Sequence, residues 1–111
     1  MKELMEDLKE TGLVRVTGSF ADRTHNRNSD LDFYVKPDRP DTPISKRNIL
    51  KIIAILKKHK INWTSTIPGY IFTHKVKNPE LEIELEFSDV FRPRPNRVKE
   101  VVLYGVPFKT Y

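Results

Sequence analysis

The sequence predicts an α+β domain: a small mixed β-sheet with helices on one face. Two helical patterns alternate with strand patterns in the first half of the chain, and strand patterns dominate the second half. The first helix is predicted over residues 2–11, because apolar residues recur there at helical spacing and Gly12 follows at the expected C-terminus. A length of 111 residues suits a single domain covering residues 1–111.

The remaining elements follow from hydrophobic spacing and from turn residues. A second helix is predicted from an i, i+3, i+4, i+7 stripe, with Thr42 or Ser45 as its N-cap and a basic cluster at residues 57–60 as its end. The stripe consists of Ile49, Ile52, Ile53 and Leu56. Strands are predicted over residues 13–17, 30–36, 61–67, 70–76 and 80–87. Perfect alternation in the last of these puts four glutamates on one face.

Composition narrows the range of functions. Twenty Lys and Arg against fifteen Asp and Glu give a net charge of +5, which suits a polyanionic partner such as RNA or a nucleotide. The absence of cysteine excludes disulfides, zinc–thiolate sites and thiol nucleophiles. The N-terminus lacks a signal-peptide pattern, and no apolar stretch approaches the roughly 20 residues that span a bilayer. We therefore expect a cytoplasmic protein with no membrane partner.

An Asp-x-Asp pair is the first sign of chemistry. Asp30 and Asp32 are two apart in a predicted strand, so their side chains share one face. Adjacent carboxylates repel one another, and solvent, a basic partner or a divalent cation must offset that repulsion. Carboxylate oxygens suit Mg²⁺. For such a pair taken alone, a solvated strand face is the more common explanation.

A Gly-Ser pair precedes these acids and ends the first predicted strand. Gly18 lets the backbone approach a phosphate closely, and Ser19 offers a hydroxyl and an amide N–H. An ordinary turn would explain this pair if it stood alone. The combination of strand, Gly-Ser, polar spacer and Ser-Asp-x-Asp within 32 residues is far more specific.

The segment GSFADRTHNRNSDLDFYV, residues 18–35, resembles the signature of the DNA polymerase beta-like nucleotidyltransferase superfamily, in its minimal form. That family also has a third acid on a later strand. Glu84 fits its context best, because it lies between Ile83 and Leu85 and a basic tail follows. Glu82 and Glu86 remain alternatives.

The resemblance implies an enzyme that moves a nucleoside monophosphate from an NTP, with ATP the expected one, to an acceptor hydroxyl. Asp30, Asp32 and Glu84 would be the catalytic residues and would hold two Mg²⁺ or Mn²⁺ ions, with Glu84 also able to take the acceptor's proton. The triphosphate would be bound by Gly18, Ser19 and Arg23.

The acceptor is left open between an RNA end, a protein and a small molecule. A basic segment after the third acid is expected to bind a polyanionic acceptor; it contains Arg92, Arg94, Arg97 and Lys99. Little chain lies beyond the catalytic core, so a partner subunit or a homodimer is a further expectation. The alternative function is a degenerate module of the same fold that binds nucleotide or RNA without chemistry.

The histidines are expected to be exposed polar residues. Trp63, Tyr70 and Phe72 are expected mainly in the core, with base stacking as the alternative.

Overall fold

A computed structural model describes residues 1–26, 29–36, 46–65, 67–89 and 98–110. Its helices are α1 (Lys2–Glu10), α2 (Gly18–Asp22) and α3 (Lys46–Lys58). Its strands are β1 (Val14–Thr17), β2 (Leu31–Val35), β3 (Trp63–Thr64), β4 (Tyr70–Thr73), β5 (Leu85–Ser88), β6 (Glu100–Leu103) and β7 (Val106–Lys109). This confirms the predicted α+β class with a mixed sheet. The predicted N-caps of the long helix, Thr42 and Ser45, lie outside the described residues.

Five strands form the main sheet in the order β1-β2-β5-β4-β3. Strands β2 and β5 are parallel neighbours, and the other pairings in this sheet are antiparallel. Strands β6 and β7 form a separate hairpin. A single parallel bridge between Val16 and Thr110 connects the end of that hairpin to β1.

One face of the sheet carries the core. Alternation along β2 and β5 buries Phe33 and Phe87 completely, and their rings stack at 5.2 Å between centroids. Buried residues of α1 and α3, such as Leu8 and Leu56, belong to the same cluster, as does Phe108 of the hairpin. The other face of these strands carries Asp32 and Glu86 among its side chains. None of the helices that the structure describes is long and apolar enough to cross a membrane.

The strand predicted over residues 80–87 is too long. Strand β5 begins only at Leu85, and the chain before it turns. Asn78 explains the difference, because its buried side-chain amide both donates to and accepts from the backbone of Asn62, at 3.0 and 2.8 Å. The backbone carbonyl of Asn78 also accepts a hydrogen bond from the amide N–H of Leu81 at 2.8 Å. These bonds hold residues 78–81 in a turn, so the four glutamates do not share one strand face.

A charged contact ties α1 to the end of α3. One oxygen of the Asp7 carboxylate lies 2.7 Å from the His59 ring and 3.1 Å from the Lys58 ammonium. The hydrogen bond with His59, followed by the one from Lys58, holds the pKa of Asp7 below its ordinary value. The carboxylate form of Asp7 therefore stabilises the packing of the two helices.

We expect Asp7→Asn to lower the free energy of unfolding at about pH 7 and to have no effect at about pH 2. A pKa lowered by folding contributes stability above the unfolded pKa, and that contribution disappears as the pH falls through the folded pKa. Urea unfolding of both proteins at the two pH values measures the difference. An equal deficit at both pH values would contradict the ionic origin of the stabilisation.

Candidate functional site

Four strand ends meet at one edge of the main sheet. Because β1 and β4 run antiparallel to their neighbours, they end where the parallel strands β2 and β5 begin. This places Gly18, Asp30, His74 and Glu84 around one location, since each lies next to one of those ends. The fold thus gathers residues that are up to 66 positions apart in the sequence.

Gly18 and Asp32 lie close together at this edge of the sheet. Gly18 has φ +67°, and a Cβ built on it would lie 2.0 Å from the Asp32 Oδ2 atom. The glycine is therefore required twice, for its backbone conformation and for the space that the carboxylate occupies. The sequence predicted that this glycine allows a phosphate to approach the backbone. In the structure, the position that a Cβ would take lies against Asp32, one of the three predicted metal ligands.

Asp30 and Glu84 lie against each other. The backbone of the two strands joins beside them, where the Leu31 amide donates to the Glu84 carbonyl at 2.9 Å. Partial burial raises the pKa of Asp30, and the adjacent Glu84 carboxylate raises it further through its charge and a hydrogen bond. The charge of Glu86 acts in the same direction. Negative charge is thus concentrated here.

Strand register and side-chain contacts distinguish the three alternatives for the third acid. Glu86 is the direct partner of Asp32 on the neighbouring strand, which places it about 4.8 Å away at backbone level. Glu84 contacts Asp30. Glu82 instead binds the hydroxyl of Tyr104: burial raises the pKa of Tyr104, and the charge of Glu82 and their hydrogen bond add to the effect. Glu82 is therefore the weakest of the three alternatives.

His74 belongs to this edge, although its sequence context indicated only an exposed polar residue. Its Nδ1 atom lies 4.0 Å from a Glu84 oxygen, and its Nε2 atom lies 2.8 Å from the Thr64 hydroxyl. The Lys75 amide also donates to Glu84, at 3.4 Å. No spacing in the sequence could reveal this role, because it depends on where β4 ends relative to β5. The other two histidines lie elsewhere, with His59 against Asp7 and His25 stacked on Phe20.

The predicted phosphate ligands lie on or beside α2. Ser19 is in its first turn, and Arg23 is exposed just after its last. Arg23 has φ 58°, and its amide donates to the carbonyls of Phe20 and Ser19 to close the helix. Gly18 and Arg23 are therefore at opposite ends of a helix of five residues.

A divalent cation suits the donor chemistry of this edge. The carboxylates of Asp30, Asp32, Glu84 and Glu86 supply oxygen ligands, the kind that Mg²⁺ and Mn²⁺ prefer. The pKa of Asp30 is raised mainly by partial burial, and the nearby Glu84 and Glu86 carboxylates raise it further. Within the described ranges, however, no three His, Asp or Glu side chains converge closely enough to hold one ion as they stand.

The predicted acceptor-binding residues Arg92, Arg94 and Arg97 lie outside the described residues, and Lys99 is exposed. Among the aromatic residues, Trp63 differs from Tyr70 and Phe72. Trp63 packs against the core with Lys57 over its ring at 5.7 Å. Tyr70 and Phe72 lie half-buried and stack on each other at 6.0 Å, and Phe72 is the register partner of Glu86.

Comparison with known proteins agrees with this geometry. A family model described as a nucleotidyltransferase domain matches residues 1–89. The chain therefore belongs to the nucleotidyltransferase domain family, which confirms the resemblance carried by residues 18–35 and supports nucleoside monophosphate transfer as the general chemistry. The family generally uses divalent metals. Searches of curated proteins and of solved structures returned no significant match.

We expect Gly18→Ala to destabilise the protein more than Gly12→Ala does. Gly12 has almost the same backbone conformation, φ +66°, but a Cβ there would meet nothing within 4 Å. Gly12→Ala should therefore lower the free energy of unfolding only by the strain of a left-handed alanine, about 1–2 kcal/mol. Gly18→Ala should lower the free energy of unfolding by roughly a further 1–3 kcal/mol, because its methyl group collides with Asp32.

Denaturant unfolding of both variants, alone and combined with Asp32→Ala, measures this coupling. Removing the Asp32 carboxylate should shrink the excess cost at Gly18 and leave the cost at Gly12 unchanged. Equal costs for the two glycine variants would show that Asp32 does not occupy this space.

Proposed function

We propose that this protein transfers a nucleoside monophosphate from an NTP, with ATP as the expected donor, to an acceptor hydroxyl, with divalent-cation assistance. One observation carries the proposal. In a member of the nucleotidyltransferase family, the strand pairing brings Asp30 against Glu84 and Asp32 beside Glu86, next to Gly18. Mutually repelling acids are costly to a domain that only folds, and a cation with a triphosphate would offset that cost.

Asp30, Asp32 and Glu84 are the proposed cation ligands, with Glu86 as the second choice for the third position. Bound ions would neutralise the phosphates and stabilise the entering and leaving oxygens of an in-line displacement. Glu84 is also proposed as the base that takes the proton of the acceptor hydroxyl. The Lys75 amide and the nearby His74 ring hold its carboxylate in position. Asp30, just before β2, and Asp32, within it, would hold the cations that orient the reacting groups.

The phosphates of the NTP are proposed to lie at the start of α2, beside Gly18 and Ser19, with Arg23 closing over them from its exposed position after the helix. Tyr70 and Phe72 offer a stacked aromatic surface beside Glu86, a position that suits the nucleobase. An RNA end, a protein hydroxyl and a small molecule all fit as acceptors, and a partner subunit or a second copy is proposed to complete the acceptor site.

Single substitutions of the acids test the chemistry. We expect Asp30→Asn and Asp32→Asn each to lower the transfer rate by more than about 100-fold, since even outer partners of a metal site contribute 10–100-fold. Glu84→Gln should do the same, whereas Glu82→Gln, whose carboxylate binds Tyr104, is the matched control and should keep the wild-type rate. The assay incubates each labelled NTP with Mg²⁺ or Mn²⁺ and candidate acceptors. A larger loss in Glu86→Gln than in Glu84→Gln would move the third position to Glu86.

Metal binding is tested separately from turnover. Titration of Mn²⁺ into the Asp30→Asn, Asp32→Asn double variant should show the affinity lost, while the Glu82→Gln protein binds as the wild type does. The apo double variant should unfold at the same or a slightly higher denaturant concentration, because repulsion between carboxylates is relieved. Unchanged Mn²⁺ affinity would exclude these two aspartates as ligands. Metal and NTP binding without any transfer would favour the binding-module alternative.

A further inference from the structure

A cavity of about 280 Å³ lies at the outer edge of the sheet, where β1, the end of β2, the end of α1 and strand β7 come together. Its described lining contains four cationic side chains and one carboxylate: Lys9, Arg15, Lys36, Lys109 and Glu100. Glu100 is the register partner of Lys109 on the hairpin, so it offsets one of the four charges. The cavity is therefore strongly positive.

The backbone of this cavity is fixed independently of any ligand. The Lys36 amide donates to the Leu13 carbonyl at 2.8 Å, and the Lys36 carbonyl accepts the side-chain amide of Asn48 at 2.7 Å. Asn48 is itself only 5% exposed, so α3 clamps the end of β2. The backbone of Lys36 is therefore fixed, and the residue is half-buried rather than fully solvated.

The cations are close enough to oppose one another. Burial lowers the pKa of Lys36, and the positive charges of Arg15 and Lys109 lower it further. Holding like charges together at a partly buried position costs free energy, which a bound anion would recover. Lysine and arginine both bind phosphate oxygens through charge-assisted hydrogen bonds.

The position of the cavity relates it to the acidic edge. Arg15 is the register partner of Tyr34, and both Tyr34 and Lys36 continue the alternation that begins at Asp32. Lys36 is four residues beyond Asp32, about 13 Å along the strand. A ligand that occupied both ends would have to extend over this distance, as a nucleic-acid strand does.

We propose that this cavity is a second anion site, distinct from the NTP site, that binds backbone phosphates of single-stranded RNA. The inference stands independently of the transfer reaction, because the cavity could hold RNA whether or not the acids act on it. The cavity is also a cationic site for the kind of polyanionic partner that the net charge of +5 suits.

A charge-neutralising pair of substitutions tests the site. The Lys36→Gln, Lys109→Gln variant is compared with Lys2→Gln, Lys51→Gln, which removes the same charge from exposed positions on α1 and α3. Binding of a labelled single-stranded oligoribonucleotide is measured by fluorescence anisotropy over a series of salt concentrations. We expect the first variant to lose about tenfold in affinity at low salt and about 1.4 in log–log salt slope, roughly 0.7 per contact, and the control to change much less.

Three further measurements separate the sources of phosphate and the two sites. Lys36→Arg should keep the affinity for RNA, because it keeps the positive charge at this position. Inorganic phosphate and a mononucleotide should bind the cavity far more weakly than the oligonucleotide. NTP and Mn²⁺ titrations of the Lys36→Gln, Lys109→Gln variant should match the wild type.

Equal losses in the two charge-matched variants would overturn the proposal, since they would show a non-specific effect of net charge. No binding of RNA by the wild type at low salt would overturn it as well. If inorganic phosphate or a mononucleotide bound as tightly as RNA, the cavity would be a small-phosphate site and the claim about RNA would be wrong. Loss of NTP binding together with RNA binding would show that the two sites are one.

Discussion

The pairing of β2 with β5 is the constraint on which the site depends. Parallel pairing puts the acids that precede and begin both strands at one edge, and the register decides which carboxylate meets which. A shift of one residue would turn Asp32 toward the core and Phe33 toward solvent, so burial of Phe33 against Phe87 fixes the register. The apolar core therefore forces mutually repelling carboxylates together. The stability of the sheet and the charge of the site come from the same alternation.

Much of this could be predicted from the sequence because it is local. The helical stripe of α3, the alternation around Asp30 and Asp32, and the Gly18 strand end each need only a few neighbouring residues. The family model that matches residues 1–89 agrees with the resemblance drawn from residues 18–35. The types of α1, α3 and the five strands of the main sheet followed from the same periodicities, whereas α2 and the β6–β7 hairpin were not predicted.

What could not be predicted depends on contacts between distant segments. Alternation from Glu80 to Phe87 favoured a long strand, but the amide of Asn78 binds the backbone of Asn62 and keeps the first half as a turn. Hydrophobic alternation says nothing about such a competing bond. His74 gave no signal, because its position beside Glu84 follows from the length of β4. The sequence also could not show that Asp32 requires a glycine at position 18, because Asp32 lies 14 residues further along the chain.

Separation of charge along the sheet connects the two proposed sites. Carboxylates cluster where β2 begins, and cations cluster where it ends. Over about 13 Å the attraction between the clusters is largely screened at physiological ionic strength, so it does little to stabilise the fold. Partial burial is the main cause of the raised pKa of Asp30 and of the lowered pKa of Lys36, and the like charges within each cluster add to both shifts. Ligands of opposite charge would offset the charge of both clusters: divalent cations at the acidic end, and a phosphate backbone at the basic end.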